Sequence, residues 1–219
     1  MYAMAWSARG SRPARDVPDS GFKLFNDGLL AAERALMSAR PTLRATAIWQ
    51  NMLLAVVLDS RQSKQNAGQI FTDGVRQWPG YYDFYELVLT RLVPSWGGSW
   101  DTVDQFITSW ADRLRATEGD SVYARFYSSV VLDGYSPYAT KINWPQMKRS
   151  LDDLNKRYPD LAFKNTAASF GCVYTDTAYY QMWIKQIESH QLIRSVWVPG
   201  IRPEDCTKPL IRLIPTPKE

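Results

Sequence analysis

The sequence predicts an all-α protein of about nine helices arranged in antiparallel pairs, and three observations predict it. Apolar residues recur at spacings of three and four over most of the chain. Clusters of Pro, Gly and Asn cut that pattern into segments of helical length. Two aromatic-Pro breaks, Trp78-Pro79-Gly80 and Tyr158-Pro159-Asp160, stand 80 residues apart, each between two helical patterns. Helix pairs of roughly 35 to 45 residues are the unit of an α-solenoid, so the spacing reads as a degenerate tetratricopeptide-like repeat of two pairs per interval.

The chain has 219 residues, which fits one domain or two small ones sharing a core. Its 45% hydrophobic and 22% charged content are values of a folded chain rather than a disordered one. Nine Trp, twelve Tyr and eight Phe supply ample core, with a surplus for a binding surface. The net charge of +4 is spread without a run of five like charges, which argues against a nucleic-acid interface. The most apolar stretch, Ala45 to Leu58, is 14 residues long and contains Gln50 and Asn51. A membrane span needs about 20 apolar residues, so a buried helix is expected there instead.

Residues 1–20 hold three Arg and two Pro without the apolar core of a signal peptide, and read as a flexible arm. Residues 21–190 are expected to form the helical-repeat domain. A first helix runs from Phe22 to Ala39, ended by Arg40-Pro41. Thr42 is the expected cap of a second, whose wide apolar stripe (Ile48, Trp49, Met52, Leu53, Val56, Val57) marks it as central. The third, Ser63 to Trp78, carries Gly74 on its apolar face, where a neighbouring helix can approach closely. A fourth carries Tyr81, Tyr85, Val88 and Leu92.

After Pro94 the chain turns a tight corner, Trp96-Gly97-Gly98-Ser99. Its two glycines tolerate positive φ, and Ser99 can cap the fifth helix with Asp101 in the first turn. Val103, Phe106, Ile107, Trp110 and Leu114 give that helix its apolar face; Gly119-Asp120 precedes a sixth with Tyr123, Phe126, Tyr127, Val130 and Val131. Asn143-Trp144-Pro145 starts a seventh, Phe163 to Tyr174 marks an eighth, and Asp176 caps a ninth. Residues 191–219 are a Pro-rich extended segment expected to pack on the domain. Within it Ile193 to Val198 and Leu210 to Ile214 alternate enough for a short β-hairpin.

The span from Phe71 to Ile184 resembles a family of uncharacterised bacterial domains with tetratricopeptide-like helical repeats. The resemblance rests on Pro94-Ser95-Trp96-Gly97-Gly98-Ser99, on Gly119-Asp120-Ser121-Val122-Tyr123-Ala124, and on Asn143-Trp144-Pro145 with Arg157-Tyr158-Pro159. It implies a helical-repeat fold and no established chemistry.

The residues themselves offer no catalytic set. One histidine, His190, placed at the end of the ninth helix, and two cysteines without paired spacing give no metal site and no cofactor is expected. Cys172, between Gly171 and Val173 on an apolar helix, reads as a buried inert thiol; the cysteines suit a reducing cytoplasm, with a single disulfide left open. Of the carboxylate pairs, Asp101/Asp104 and Asp83/Glu86 lie in helix starts and Asp152-Asp153 on a solvated face.

Aromatics and Arg remain, the residue types enriched at interface hot spots. Tyr85, Phe106, Trp110, Phe126 and Tyr127 are expected in the core, with Tyr82, Trp100, Tyr123 and Arg125 as the binding surface. The expectation is a cytoplasmic, non-enzymatic module with a protein partner, most concretely an immunity protein neutralising a toxin or an effector adaptor. The alternatives are a hydrolase using groove carboxylates and nucleic-acid binding through the basic arm.

Overall fold

The computed structural model describes residues 1–12 and 14–206, and among these the regular structure is helical, with eleven α-helices. The chain divides into two compact units, Met1–Val88 and Leu89–Glu219. No helix among the described residues is long and apolar enough to cross a membrane.

The first unit holds α1 (Tyr2–Arg9), α2 (Asp19–Met37), α3 (Pro41–Arg44), α4 (Ala47–Asp59) and α5 (Ala67–Gln77); α6 (Asp83–Leu92) spans the boundary. The segment read as a flexible arm therefore contains a helix. Its Ala5 is buried against Phe25, Leu29 and Ala32 of α2 and Val56 of α4. Two polar anchors fix it: the Tyr2 hydroxyl and the Trp6 indole N–H both donate to Asp59, at 2.7 and 3.1 Å. Sequence reading missed it because three Arg and two Pro in 20 residues outweigh one short apolar turn.

The expected cap at Thr42 lies inside α3, a single turn. The cap of α4 is Thr46, whose hydroxyl accepts the Trp49 N–H at 3.2 Å. Trp49, Leu53 and Val57 then bury against Leu36 and Ile70. At Gly74 the close approach is realised: a Cβ would stand 2.8 Å from the Phe84 ring of α6.

The second unit holds α7 (Trp100–Glu118), α8 (Ser121–Leu132), α9 (Trp144–Arg157), α10 (Leu161–Val173) and α11 (Thr177–Ile184). Each packs on its neighbour in sequence. α8 is buried nearly all round, with Phe126 and Tyr127 fully enclosed. Each such side chain contributes about 1.5–3 kcal/mol relative to an exposed one. Tyr85 is also in the core, whereas Phe106 and Trp110 are half-buried.

The two aromatic-Pro breaks are geometrically alike. Trp78 closes α5 at φ −132°, ψ 70°, and Tyr158 closes α9 at φ −127°, ψ 76°. A residue before Pro is barred from helical geometry, and that fixes both. The starts match too: Asn66 and Asn143 each accept the N–H of a Gln three residues on, at 3.0 Å. The shared punctuation is therefore Asn-x-x-Gln at one end and aromatic-Pro at the other.

Beyond α11 the described residues make three 3-10 turns, Ser189–Gln191, Arg194–Val196 and Pro203–Asp205. Ile193 to Val198, read as a strand, holds the middle turn, because the hydrogen bonds of this segment go to α10 rather than to a second strand. Asn165 accepts the Ile193 N–H and the Trp197 indole N–H, at 3.1 and 2.9 Å. Ser169 accepts the Val198 N–H at 2.8 Å. Leu210 to Ile214 lie outside the described residues. Cys172 of α10 is bonded to Cys206, so it is not the free inert thiol expected from its apolar surroundings.

Candidate functional site

The Trp-Gly-Gly-Ser corner is held by its own backbone. Val93 accepts N–H groups from Trp96 and Gly98, and Pro94 accepts one from Gly97. Gly97 has φ +88°, and a Cβ on Gly98 would stand 2.9 Å from Leu92 Cα. Ser99 caps α7 as expected, accepting the Thr102 N–H at 3.1 Å. Trp96 is 49% exposed, with the Arg91 guanidinium 5.0 Å from its ring. Trp100 is half-buried, edge-on to Tyr135, whose hydroxyl meets Ser95. These contacts make Trp100 part of the packing of the corner.

The other three expected surface residues lie elsewhere. Tyr123 is 2% exposed, which corrects its assignment to the surface. Its ring packs 4.8 Å from Tyr127, its hydroxyl accepts the Asn143 N–H, and burial raises its pKa. Tyr127 in turn donates to Asp104 at 2.6 Å. The Arg125 guanidinium lies over Tyr158 and Phe163, at 5.2 and 5.4 Å. Tyr82 is a half-buried residue of the first unit, its ring 6.2 Å from that of Tyr85. Within the second unit, Trp100, Tyr123 and Arg125 thus have three different sets of neighbours.

A polar network of the second unit joins α9 to α11. Trp144, Lys148 and Asp152 follow at helical spacing and meet Asp176 and Tyr179. The Trp144 indole and the Lys148 ammonium donate to Asp176, at 3.3 and 2.9 Å. The Tyr179 hydroxyl donates to Asp152 at 2.8 Å. Asp176 also caps α11, accepting the Tyr179 N–H at 3.0 Å. Burial alone would raise the Asp176 carboxyl; Lys148, the Tyr179 N–H and Trp144 together outweigh it and hold its pKa below the ordinary value. Asp152 goes the other way, raised by burial that Tyr179 and Lys148 only partly offset.

Asp152 and Asp153 are therefore more than a solvated face. Asp153 binds Arg157 and accepts the Asp120 N–H, both at 2.8 Å. Of the paired acids at helix starts, Asp101 is bridged to Lys141 and Asp104 holds Tyr127. These carboxylates are engaged in structural contacts, within a helix or from a helix to a neighbouring segment.

A polar hollow of about 90 Å³ lies among Arg115, Asp120, Tyr123, Gln146, Arg149 and Ser150. Pockets for organic ligands run to about 300–1,000 Å³, so this one admits waters or a small ion. Arg115 is already paired with Asp112 and Asp120. No group of three or more metal-ligating side chains occurs among the described residues. His190 is not at a helix end, since α11 stops at Ile184; it stands exposed in a 3-10 turn, 3.4 Å from Glu188.

The feature that sequence reading passed over is on α4. Its wide stripe was read as that of a central, buried helix, yet Ile48 is 61% and Met52 50% exposed, one turn apart, with Leu43 57% exposed just before them. Ile48, Met52, Ala55 and Asp59 share one face by helical spacing. α1 meets that face at Asp59, through Tyr2 and Trp6, and leaves Ile48 and Met52 uncovered. The stripe width alone could not reveal which part would stay open.

No known family matches the chain, and neither the curated proteins nor the solved structures include a match. The resemblance to bacterial helical-repeat domains accordingly stands on the motif residues alone.

Proposed function

We propose that this chain is a non-catalytic, tetratricopeptide-like helical protein that binds another protein, and that α4 presents the contact. The observation behind the proposal is the apolar turn formed by Ile48 and Met52 on a face whose other end is already occupied by α1. Exposed apolar residues scattered singly are ordinary, but two adjacent ones continuing a covered stripe favour a docked partner. An amphipathic segment laid along α4 is the simplest occupant of such a face.

An immunity protein neutralising a toxin, or an adaptor for an effector, is the finer form of this reading. Its support is the same apolar turn together with the bacterial resemblance. A buried disulfide favours an oxidising compartment over the cytoplasm expected from the sequence.

The test is affinity capture from native lysate with the wild-type chain and with Ile48→Asp/Met52→Asp. Substitutions at exposed positions shift stability by only about 0.5 kcal/mol, so the variant should fold normally. One stoichiometric partner retained by the wild type and lost from the variant supports the proposal. A partner retained equally by both removes α4 as the contact.

A further inference from the structure

We infer that the Cys172–Cys206 disulfide is a maturation latch. It closes where thiols are oxidised, and only then is the distal half of the C-terminal strap docked.

The strap has two parts held by different chemistry. Its proximal part, Gln191 to Val198, is held by α10 side chains that have no redox chemistry. Asn165 donates to the Gln191 carbonyl at 3.2 Å and accepts from Ile193 and Trp197; Thr166 donates to the Val196 carbonyl at 3.3 Å; Ser169 accepts from Val198. Trp197 and Val198 are buried there.

The distal part, Pro199 to Cys206, is held differently. One neutral hydrogen bond reaches α11, from the Tyr180 hydroxyl to the Pro203 carbonyl at 3.2 Å. Among the described residues its other polar contacts stay within the strap, including the Arg194–Glu204 and Arg202–Asp205 pairs and the local N–H bonds of Ile201, Asp205 and Cys206. One neutral bond and exposed ion pairs do not offset the entropy of ordering eight residues. The covalent bond removes part of that entropy in advance, by confining residue 206 to the end of α10.

The heptad position of the sulfur makes the same point. Asn165, Ser169 and Cys172 lie at i, i+4 and i+7 along α10, so the strap runs down one face of the helix and Cys172 is its last anchor.

The closing step is a thiol–disulfide exchange. The thiolate of one cysteine attacks a small-molecule or protein disulfide, the oxidant, and releases one of its thiols. The second thiolate then attacks the mixed disulfide. Two electrons leave the chain, two thiol protons are lost, and the oxidant departs as two thiols. Once formed, the bond is shielded, since Cys172 and Cys206 are 3% and 8% exposed. A shielded bond is a one-way latch rather than a cycling switch, and it belongs to an oxidising compartment.

The experiment takes the full chain produced in an oxidising compartment. Thiols are alkylated after denaturation without reductant and counted by mass. Amide hydrogen exchange is then compared with Cys206→Ser and with Cys172→Ser/Cys206→Ser. The wild type should carry no alkylated thiol. In both variants the Ile201 and Asp205 amides should exchange about tenfold faster or more, while Ile193 and Val198 change less than about twofold. Two alkylated thiols in the wild type would overturn the inference without reference to any variant. Unchanged exchange at Ile201 and Asp205 would overturn the latch, and equal acceleration at Ile193 and Val198 would overturn the division of the strap.

Discussion

The two glycines of the corner should respond to substitution for different reasons, and by different amounts. At Gly97 a Cβ would meet nothing within 4 Å, so the penalty of Gly97→Ala is conformational alone, from φ +88°. An L side chain in left-handed geometry costs about 1–2 kcal/mol. Asn tolerates that region better, so Gly97→Asn should recover part of the loss. At Gly98 the obstacle is backbone. A new Cβ would be 2.9 Å from Leu92 Cα and nearer still to its carbonyl, where carbon atoms normally rest about 3.5–4.0 Å apart.

The collision at Gly98 can be relieved only by moving the chain by about half an ångström or more. That strains the Gly98 N–H bond to Val93, now 3.2 Å, and shifts the Ser99 cap of α7. The expected cost of Gly98→Ala is about 3 kcal/mol, above that of Gly97→Ala. Thermal melts followed by circular dichroism suffice to rank them, because 1 kcal/mol corresponds to about 2–4 °C in a chain of this size. A Gly98→Ala protein within about 0.5 kcal/mol of wild type, or less perturbed than Gly97→Ala, would rule out a backbone collision at Gly98.

Three further outcomes follow from the polar contacts. Asn165→Leu should leave the Ile193 N–H and the Trp197 indole without their acceptor in a buried site, at about 1–3 kcal/mol for each, read as a lower Tm with loss of Trp197 burial by fluorescence. Tyr127→Phe should cost about 1.5–3 kcal/mol in denaturant unfolding, because the lost hydrogen bond is to a carboxylate, Asp104. Asp176 titrates below its unfolded value in the fold, so the stability it adds is present above that unfolded value, about 3.9, and is lost as pH falls through the folded pKa. Asp176→Asn keeps a capping oxygen but not the charge, so it should be less stable than wild type at pH 7 and converge on it in acid; parallel pH–stability curves would contradict this.

What could be read from the sequence is what local chemistry decides. Ser99, Asn143 and Asp176 were all identifiable at helix starts, since each is a short polar residue before an apolar helical run and its partner is three residues away. Gly74 was legible for a similar reason, being small on an otherwise large apolar face. Thr42 and Thr46 are equally good caps on local grounds, and only the single turn of α3, which takes in Thr42, settled the choice. The pairing of Cys172 with Cys206 was open, because 34 residues of separation carry no geometric signal until the strap is placed.

The candidate site was less legible than the fold. Tyr123 shares its helix with Arg125 and looked like a surface aromatic, but α8 is enclosed on nearly every side and its burial depends on α9. Periodicity reports that a helix has an apolar face and says nothing of how many neighbours cover it. Ile48 and Met52 show the converse, an apolar stripe wider than the unit fills.

Protein binding through the exposed turn of α4 accounts best for Ile48 and Met52. Its most direct test is a calorimetric titration of the captured partner into purified wild-type chain and into Ile48→Asp/Met52→Asp, with equal melting temperatures established beforehand. A Kd tighter than about 10 μM is expected for the wild type, with at least about tenfold weaker binding for the variant. Equal affinities for the two proteins would contradict it.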